Sequence, residues 1–123
     1  MIGLTEARLF LAAALLPFLY FAGRDQVLHF SARRVPIAET VVHAVLGAIL
    51  IVIVARAFLF QQWFVTIGFL LFALFGMIDE FVFHRGLPAS ESDVHAKEHF
   101  ALFVFVALFE VLALMVPHAA AGR

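Results

Sequence analysis

The chain has 123 residues, of which 65% are hydrophobic and only 14% are charged, and its mean hydropathy is +1.08. A soluble domain carries about 25% charged residues, and a chain this short cannot bury so much apolar surface in its own core. The net charge of −1, without a basic stripe, excludes a nucleic-acid partner. The lack of cysteine excludes disulfides, iron–sulfur clusters and thiolate zinc sites. We therefore expect the lipid bilayer to be the main partner of this apolar chain.

Four apolar stretches, each near the ~20 residues that cross a bilayer, organise the chain. Because backbone groups in lipid must be paired within the segment, each stretch predicts a transmembrane helix. The predicted helices cover residues 4–22, 37–60, 63–84 and 94–116, with a short surface helix at about 25–33. Short connections make neighbouring helices antiparallel. The sequence thus predicts an all-α, integral membrane, antiparallel four-helix bundle that forms one domain over residues 1–123.

The first predicted helix has the apolar stretch of a signal peptide, but it lacks the positively charged start and the cleavage site that flank such a stretch. Glu6 lies close to Arg8, so a net positive start is missing, and no small-x-small cleavage site follows. We therefore expect a retained first helix. The surface segment that follows mixes apolar residues with His29, and we do not expect His29 among the ligands of a site.

The distribution of basic residues predicts the orientation of the bundle. The first and third helices end on one side of the membrane, termed side A, and the opposite side is termed side B. Of the eight basic residues, five lie on side A and three on side B. They are Arg24, Arg33, Arg34, Arg85 and Lys97 on side A, and Arg8, Arg56 and Arg123 on side B. The positive-inside rule therefore predicts that side A faces the cytoplasm and that both termini lie on the non-cytoplasmic side.

Ionisable residues within the predicted helices concentrate near side A. Three helices carry carboxylates and imidazoles three or four residues apart, which places them on one helix face. They are Glu39 and His43 in the second helix, Asp79, Glu80 and His84 in the third, and His95, Glu98 and His99 in the fourth. At 1.5 Å per residue, His43, Glu80 and His99 lie at similar depths, roughly 8–10 Å inside their helices. Chance placement would spread them over both sides, so we expect one cluster.

Such a cluster needs a counter-charge, because each ionisable group costs about 2.5–3.5 kcal/mol at the centre of a transmembrane helix. Divalent metals bind carboxylate oxygens and neutral imidazoles directly, and this many side chains exceeds the needs of one ion. We therefore predict a site for two divalent metal ions. The predicted ligands are Glu39, His43, Glu80, His84, His95, Glu98 and His99. Mixed carboxylate and imidazole ligands suit iron, with zinc or manganese as alternatives.

Asp79 and Glu80 point about 100° apart on an α-helix, so we expect only one of them to bind metal. Glu80 shares a face with His84 and is the predicted ligand. Asp79 is predicted to orient a histidine or to act as the catalytic base. The design resembles that of di-metal carboxylate proteins, which build their sites inside four-helix bundles. This sequence does not contain their ligand motifs. The resemblance is therefore limited to the placement of a carboxylate and histidine site inside a four-helix bundle.

The leading functional prediction is a di-iron membrane oxidoreductase acting on a lipid-soluble substrate near the cytoplasmic face. Three alternatives stay open: a zinc-dependent lipid hydrolase, a non-enzymatic metal-binding or transport protein, and a haem-binding subunit with His43 and His99 as axial ligands. A metal-free network of Glu–His hydrogen bonds and ordinary polarity at the membrane interface are the other interpretations of the cluster. A homo-oligomer or a larger membrane complex is compatible with each function. Glu110, ~16 Å beyond His99 along the helix, is expected to pair with Arg56 or Arg8.

Overall fold

Four α-helices account for most of the chain, and the described residues contain no strand. The computed structural model describes residues 1–32 and 34–116, and at positions 30 and 32 the backbone only. The helices are α1 (Leu4–Ala32), α2 (Ile37–Phe58), α3 (Gln62–Ile78) and α4 (Ala89–Met115), and α3 continues directly into a π-helical turn (Asp79–Phe83). The predicted all-α fold with four helices is confirmed. Arg33 and Arg123, which entered the prediction of orientation, lie outside the described residues.

The first helix is longer than predicted, because it continues through the segment expected to form a separate surface helix. It runs for 29 residues without a break. Asp25 and His29, both in this extension, are only 3% and 2% exposed. The first predicted helix ends before Gly23, but a single glycine costs an α-helix only about 1 kcal/mol. Tertiary packing of the extension outweighs that cost.

The fourth helix begins five residues earlier than predicted. It starts at Ala89, directly after Pro88, and proline is favoured at the start of a helix because no N–H is needed there. The additional turn carries Glu91, whose side chain is buried. Asp93 and Lys97, four residues apart on the outer face of the same turns, form an exposed ion pair of 2.6 Å.

All four helices are long and apolar enough to cross a membrane, in the ranges Leu4–His29, Ile37–Phe58, Gln62–Phe83 and Ala89–Met115. Large apolar side chains cover the outer surface, including Ile37, Trp63 and Leu114, which are at least 80% exposed. Isolated apolar residues are common on soluble surfaces, but a surface covered with them is typical of helices that face lipid. These features are consistent with a multi-pass membrane protein.

The helices pack chiefly as two pairs, α1 with α4 and α2 with α3. The amide of Ile2 donates to the carbonyl of Met115 at 3.4 Å, so the start of α1 lies beside the end of α4. Phe18, Phe105 and Phe109 are almost completely buried and belong to the shared apolar core. The antiparallel arrangement brings the ends of α1 and α3 and the starts of α2 and α4 together at side A.

Candidate metal centre

Every helix carries an acidic residue four positions before a histidine at side A. The four pairs are Asp25 with His29, Glu39 with His43, Glu80 with His84, and Glu91 with His95. Residues four apart lie on one face of an α-helix, so in α1, α2 and α4 the carboxylate and the imidazole face the same direction. Because the four helix ends meet at side A, the pairs meet as well.

Contacts between these residues connect all four helices. His29 Nε2 on α1 lies 2.7 Å from Glu39 Oε1 on α2. His43 Nε2 on α2 lies 3.0 Å from Asp79 Oδ2 after α3. The remaining connections are His84 Nδ1 to His95 Nε2 at 3.1 Å and His95 Nδ1 to Asp25 Oδ2 at 3.6 Å. The ionisable side chains therefore form a closed circuit that runs from α1 through α2, α3 and α4 back to α1.

The π-helical turn determines which acidic residue of the third helix faces this circuit. In this turn the amide of His84 donates to the carbonyl of Asp79, five residues earlier, at 3.1 Å. Residues five apart therefore lie nearly above one another, as residues four apart do in an α-helix. Asp79 consequently lies inside, 1% exposed. The Glu80 side chain remains 53% exposed at the outer edge, with Oε2 3.6 Å from nitrogens of His84 and His95. The α-helical spacing behind the choice of Glu80 over Asp79 does not apply here.

His84 is the central residue, because its two ring nitrogens face different partners. Its Nε2 atom lies 3.5 Å from both Glu39 Oε1 and Asp79 Oδ2, and it forms no hydrogen bond with the described residues. Its Nδ1 atom faces His95 Nε2 and Glu80 Oε2 at 3.1 and 3.6 Å. Two donor atoms bound to one ion at about 2.0–2.1 Å lie roughly 3.0–3.4 Å apart. The spacing around both nitrogens is close to that of ligands sharing an ion.

Burial lowers the pKa of the His84 imidazole below its ordinary value, because removing the ring from water penalises its charged form. Asp79 opposes this shift but does not reverse it. The ring is therefore neutral at pH 7. A neutral imidazole binds metal through one ring nitrogen and keeps a proton on the other, and it provides no positive charge for the neighbouring carboxylates.

Three overlapping groups of ligand atoms arise among the described residues, and within each group all the atoms lie within 4.8 Å of one another. The groups are His29, Glu39, His43 and His84; Asp79, His84 and His95; and Asp25, His95 and Glu98. His84 and His95 each belong to two groups. The overlap makes these side chains one continuous set of potential metal ligands.

Two carboxylates contact the Nδ1 atoms of histidines whose Nε2 atoms face other residues of the cluster. Glu91 Oε1 lies 3.0 Å from Nδ1 of His29, whose Nε2 atom faces Glu39. Asp25 Oδ2 lies 3.6 Å from Nδ1 of His95, whose Nε2 atom faces His84. Metal-binding histidines usually direct the second ring nitrogen at a carboxylate or carbonyl, which fixes the tautomer and the ring orientation. Glu91 and Asp25 occupy these supporting positions.

Asp25 and Asp79 contact imidazoles, and no arginine or lysine of the described residues balances their charge. Within the described residues, no arginine or lysine nitrogen lies within 4.0 Å of either carboxylate. Their Oδ1 atoms are buried and accept no hydrogen bond from that part of the chain. A buried acceptor oxygen that receives no hydrogen bond costs about 1–3 kcal/mol. A bound cation would neutralise these acids and provide a partner for the free oxygens.

The structure places the predicted ligands at different depths in the cluster. Glu39 and His84 are buried at its centre, His43 is partly buried beside them, and His95 lies at the α4 side. Glu98 joins Asp25 and His95. His99 stacks on His95 with ring centroids 4.3 Å apart, but belongs to none of the ligand groups found in the described chain. The roles assigned to these residues stay predictions.

Three buried members of the cluster, Asp25, His29 and Glu91, were not among the predicted ligands. The signal that identifies them is present in the sequence, since Asp25-x-x-x-His29 and Glu91-x-x-x-His95 repeat the spacing of Glu39-x-x-x-His43. The repeat was hidden because the predicted helices stopped at residue 22 and started at residue 94. Correct helix lengths would have extended the pattern to all four helices.

A cavity of about 440 Å³ adjoins the cluster and extends between α1 and α2. Its polar wall includes Asp25, His43 and Asp79. Its remaining wall is mostly apolar and includes Leu46 and Leu50. The cavity therefore places an apolar wall beside the carboxylates and imidazoles of the cluster.

No family model, no curated protein and no solved structure matches this chain.

Proposed function

We propose that this chain is a membrane-embedded dinuclear non-haem metal protein that oxidises a lipid-soluble substrate, with iron as the metal. In this proposal the chain spans the bilayer, and its four membrane-length helices hold the ions near side A. The proposal keeps side A on the cytoplasmic face and both termini on the opposite side, as the distribution of basic residues predicts.

One observation carries the proposal: His84 faces a separate set of ligand atoms with each ring nitrogen. On its Nε2 side lie Glu39 and Asp79, both at 3.5 Å. On its Nδ1 side lies His95 at 3.1 Å. A metal-free hydrogen-bonded network would favour separations of about 2.7–3.0 Å for these atoms. His29–Glu39 and His43–Asp79 have such lengths, at 2.7 and 3.0 Å. The wider separations at His84 Nε2, together with the Oδ1 atoms of Asp25 and Asp79 that accept no hydrogen bond from the described residues, support ions between the side chains.

The donor set supports iron over softer metals. It combines carboxylates and imidazoles, and the chain contains no thiolate. Two iron ions held there would supply oxygen-dependent oxidation, with dioxygen as the oxidant and a separate electron donor providing the remaining electrons. Glu39, His43, Asp79 and His84 would bind the first ion, and His84, His95 and Glu80 would hold the second. His84 would then give up its remaining N–H proton to solvent and act as an imidazolate. Asp25 and Glu91 would hold His95 and His29 in place.

The cavity between α1 and α2 supports a lipophilic substrate. Its apolar wall accepts a hydrocarbon group, and its polar wall brings that group to Asp79 and His43. Water is scarce at this depth in a bilayer, so the ligand carboxylates are best satisfied by ions rather than by solvent. The same cavity would admit a lipid ester if zinc occupied the site, and metal identity therefore decides between oxidation and hydrolysis.

The test is elemental analysis of detergent-purified protein after anaerobic reconstitution with Fe²⁺, Mn²⁺ or Zn²⁺, together with an absorption spectrum. We expect about two equivalents of iron per chain and no Soret band. Two equivalents of zinc, with iron failing to bind, would replace oxidation by hydrolysis. A preparation that binds no metal stoichiometrically would overturn the proposal and leave a proton-linked or structural network. Asp93→Asn, which alters only an exposed ion pair, is the matched control.

A further inference from the structure

A groove follows the seam between α3 and α4. The two helices make few contacts with each other across this seam, because α3 packs mainly on α2 and α4 mainly on α1. Two cavities of about 570 and 330 Å³ lie along it and share Phe69 and Phe103 in their walls, so they are neighbours. The larger cavity reaches Glu110, and the smaller one reaches Glu80 at the outer edge of the metal centre. The groove therefore connects a carboxylate near side B with the cluster near side A.

The side B end of this groove presents hydrogen-bond acceptors. Gln62 Nε2 donates to Glu110 Oε2 at 2.6 Å, and the Thr66 hydroxyl donates to Glu110 Oε1 at 3.0 Å. Gln62 keeps its amide oxygen as an acceptor. Thr66 keeps a lone pair whether its one hydrogen goes to Glu110 or to the carbonyl of Gln62, 3.1 Å away. All three residues line the larger cavity. A ligand that donates several hydrogen bonds fits this end.

Charge points to the same kind of ligand. Glu110 lies within a membrane-length helix, yet no arginine or lysine nitrogen of the described residues lies within 4.0 Å of its carboxylate. Arg8 donates instead to the carbonyl of Phe58 at 3.0 Å, and Arg56 donates to Gln61 at 2.6 Å. The expected pairing of Glu110 with Arg56 or Arg8 is therefore not found. An acid inside a membrane span marks a functional site by default, and a cation is its natural partner.

We propose that the α3–α4 groove binds a single-chain lipid with a cationic amine head. The ammonium group donates to Glu110, Gln62 and Thr66, and the tail follows Phe69 and Phe103 towards Glu80. An ammonium group has three donors and no acceptor, which matches a pocket that offers acceptors and one negative charge. An anionic head of the same length is repelled.

The length of the groove sets the length of the tail. Glu110 and His99 are eleven residues apart on α4, which corresponds to ~16 Å along the helix. An extended alkyl chain of about twelve to fourteen carbons covers this distance. This proposal goes beyond the proposed metal chemistry and does not rest on it, although it does require the helices to lie in a bilayer.

The experiment is photolabelling of the full chain in nanodiscs of zwitterionic phospholipid. The probes are a C14 amine, the matching alcohol and the matching carboxylic acid, each with a diazirine at the tail end. We expect saturable labelling by the amine, about tenfold weaker labelling by the alcohol, and none by the acid. Mass spectrometry is expected to locate the label within residues 76–81 or 99–103. Equal labelling by all three probes would show ordinary bilayer lipid and overturn the proposal.

Variants separate the head site from the groove. Glu110→Gln keeps the shape of the side chain but removes its charge, so amine labelling is expected to fall about tenfold while the acid gains access. Ala73→Phe fills the smaller cavity and is expected to block labelling, whereas Ala48→Phe, on an exposed part of α2 that lines neither cavity, leaves it unchanged. Metal content measured on the same Glu110→Gln sample reports on the metal centre independently. Unchanged amine labelling in Glu110→Gln would reject the head site, whatever the metal content.

Discussion

The two ends of the helix bundle both place carboxylates inside membrane-length helices, but they satisfy them differently. At side A, Asp25 and Asp79 are enclosed among imidazoles, and each keeps an oxygen that accepts no hydrogen bond from the described residues. At side B, Glu110 accepts one hydrogen bond on each oxygen, from Gln62 and Thr66. Asp25 and Asp79 thus each have one buried oxygen without a hydrogen bond from the described residues. Both oxygens of Glu110 are hydrogen-bonded, and only a nearby arginine or lysine of the described residues is missing.

This difference indicates what each end can bind. Buried acids that alternate with imidazoles from four helices provide a many-atom environment that could hold metal. A single half-buried acid with two neutral donors provides a shallow acceptor site for one cation. The two ends therefore differ more in the number of their buried ligand atoms than in their charge.

The largest expected effect is the loss of both metal ions in His84→Ala. Since His84 faces one ligand group through Nε2 and another through Nδ1, removing the ring takes a ligand from each ion. Metal content measured by elemental analysis should fall from about two equivalents to nearly none. Glu39→Gln, which alters only the Nε2 side, should retain about one equivalent.

Glu110→Gln at the opposite end is the matched control for His84→Ala and should retain the wild-type metal content. If both variants lose metal to the same extent, the contrast between the two ends is wrong. If His84→Ala loses only one ion, the shared position of His84 is wrong but a metal site remains.

The second effect distinguishes neighbouring acids within the cluster. Asp79→Asn removes a carboxylate that is 1% exposed and lies 3.0 Å from His43. Glu80→Gln changes a side chain that is 53% exposed and no closer than 3.6 Å to its partners. Asp79→Asn should therefore weaken metal affinity by about a hundredfold or more, and Glu80→Gln by about tenfold or less. Competition titration with a chromophoric chelator measures both, and the reverse order would favour the α-helical spacing over the π-helical turn.

Helix number, fold class and the position of the cluster could be predicted from the sequence, because hydropathy and the i, i+4 spacing depend on local residues. The contribution of α1 could not be predicted in the same way. Whether α1 continues past Gly23 depends on burial of Asp25 and His29 at the cluster, which is a tertiary effect. The π-helical turn also has no clear local signal, and it rotates Asp79 inward in place of Glu80.

The third effect concerns stability and tests whether metal ions supply the charge that the side A acids lack. Chelation should lower the thermal unfolding midpoint in detergent by roughly 10 °C, since free metal at a hundred times its dissociation constant stabilises the folded state by about 2.7 kcal/mol. Removing the ions also leaves Asp25 and Asp79 without a cation. The midpoint of His84→Ala should not respond to chelator, and a wild-type midpoint that is equally insensitive would argue for a metal-free network at side A.

The smallest effect lies between the two ends, where α2 and α3 approach closely at Gly68. A Cβ atom added there would lie 2.8 Å from Cγ1 of Ile53, which is fully buried and has no room to move. Gly68→Ala gains about 1 kcal/mol of helix propensity, but overpacking of this kind costs about 1–3 kcal/mol. We therefore expect a net destabilisation of about 1 kcal/mol, measured as the shift in the unfolding midpoint.

Gly76→Ala, in the same helix, is the matched control, because an added Cβ there meets no atom within 4 Å. It should be neutral or slightly stabilising. Metal content should stay unchanged in both variants if the ligand circuit at side A fixes the helix ends independently of the packing at mid-helix. A loss of metal in Gly68→Ala would instead mean that the α2–α3 contact holds Glu39, His43 and Asp79 in register. In that case the enclosure of the side A acids depends on the whole helix pair and not on the cluster alone.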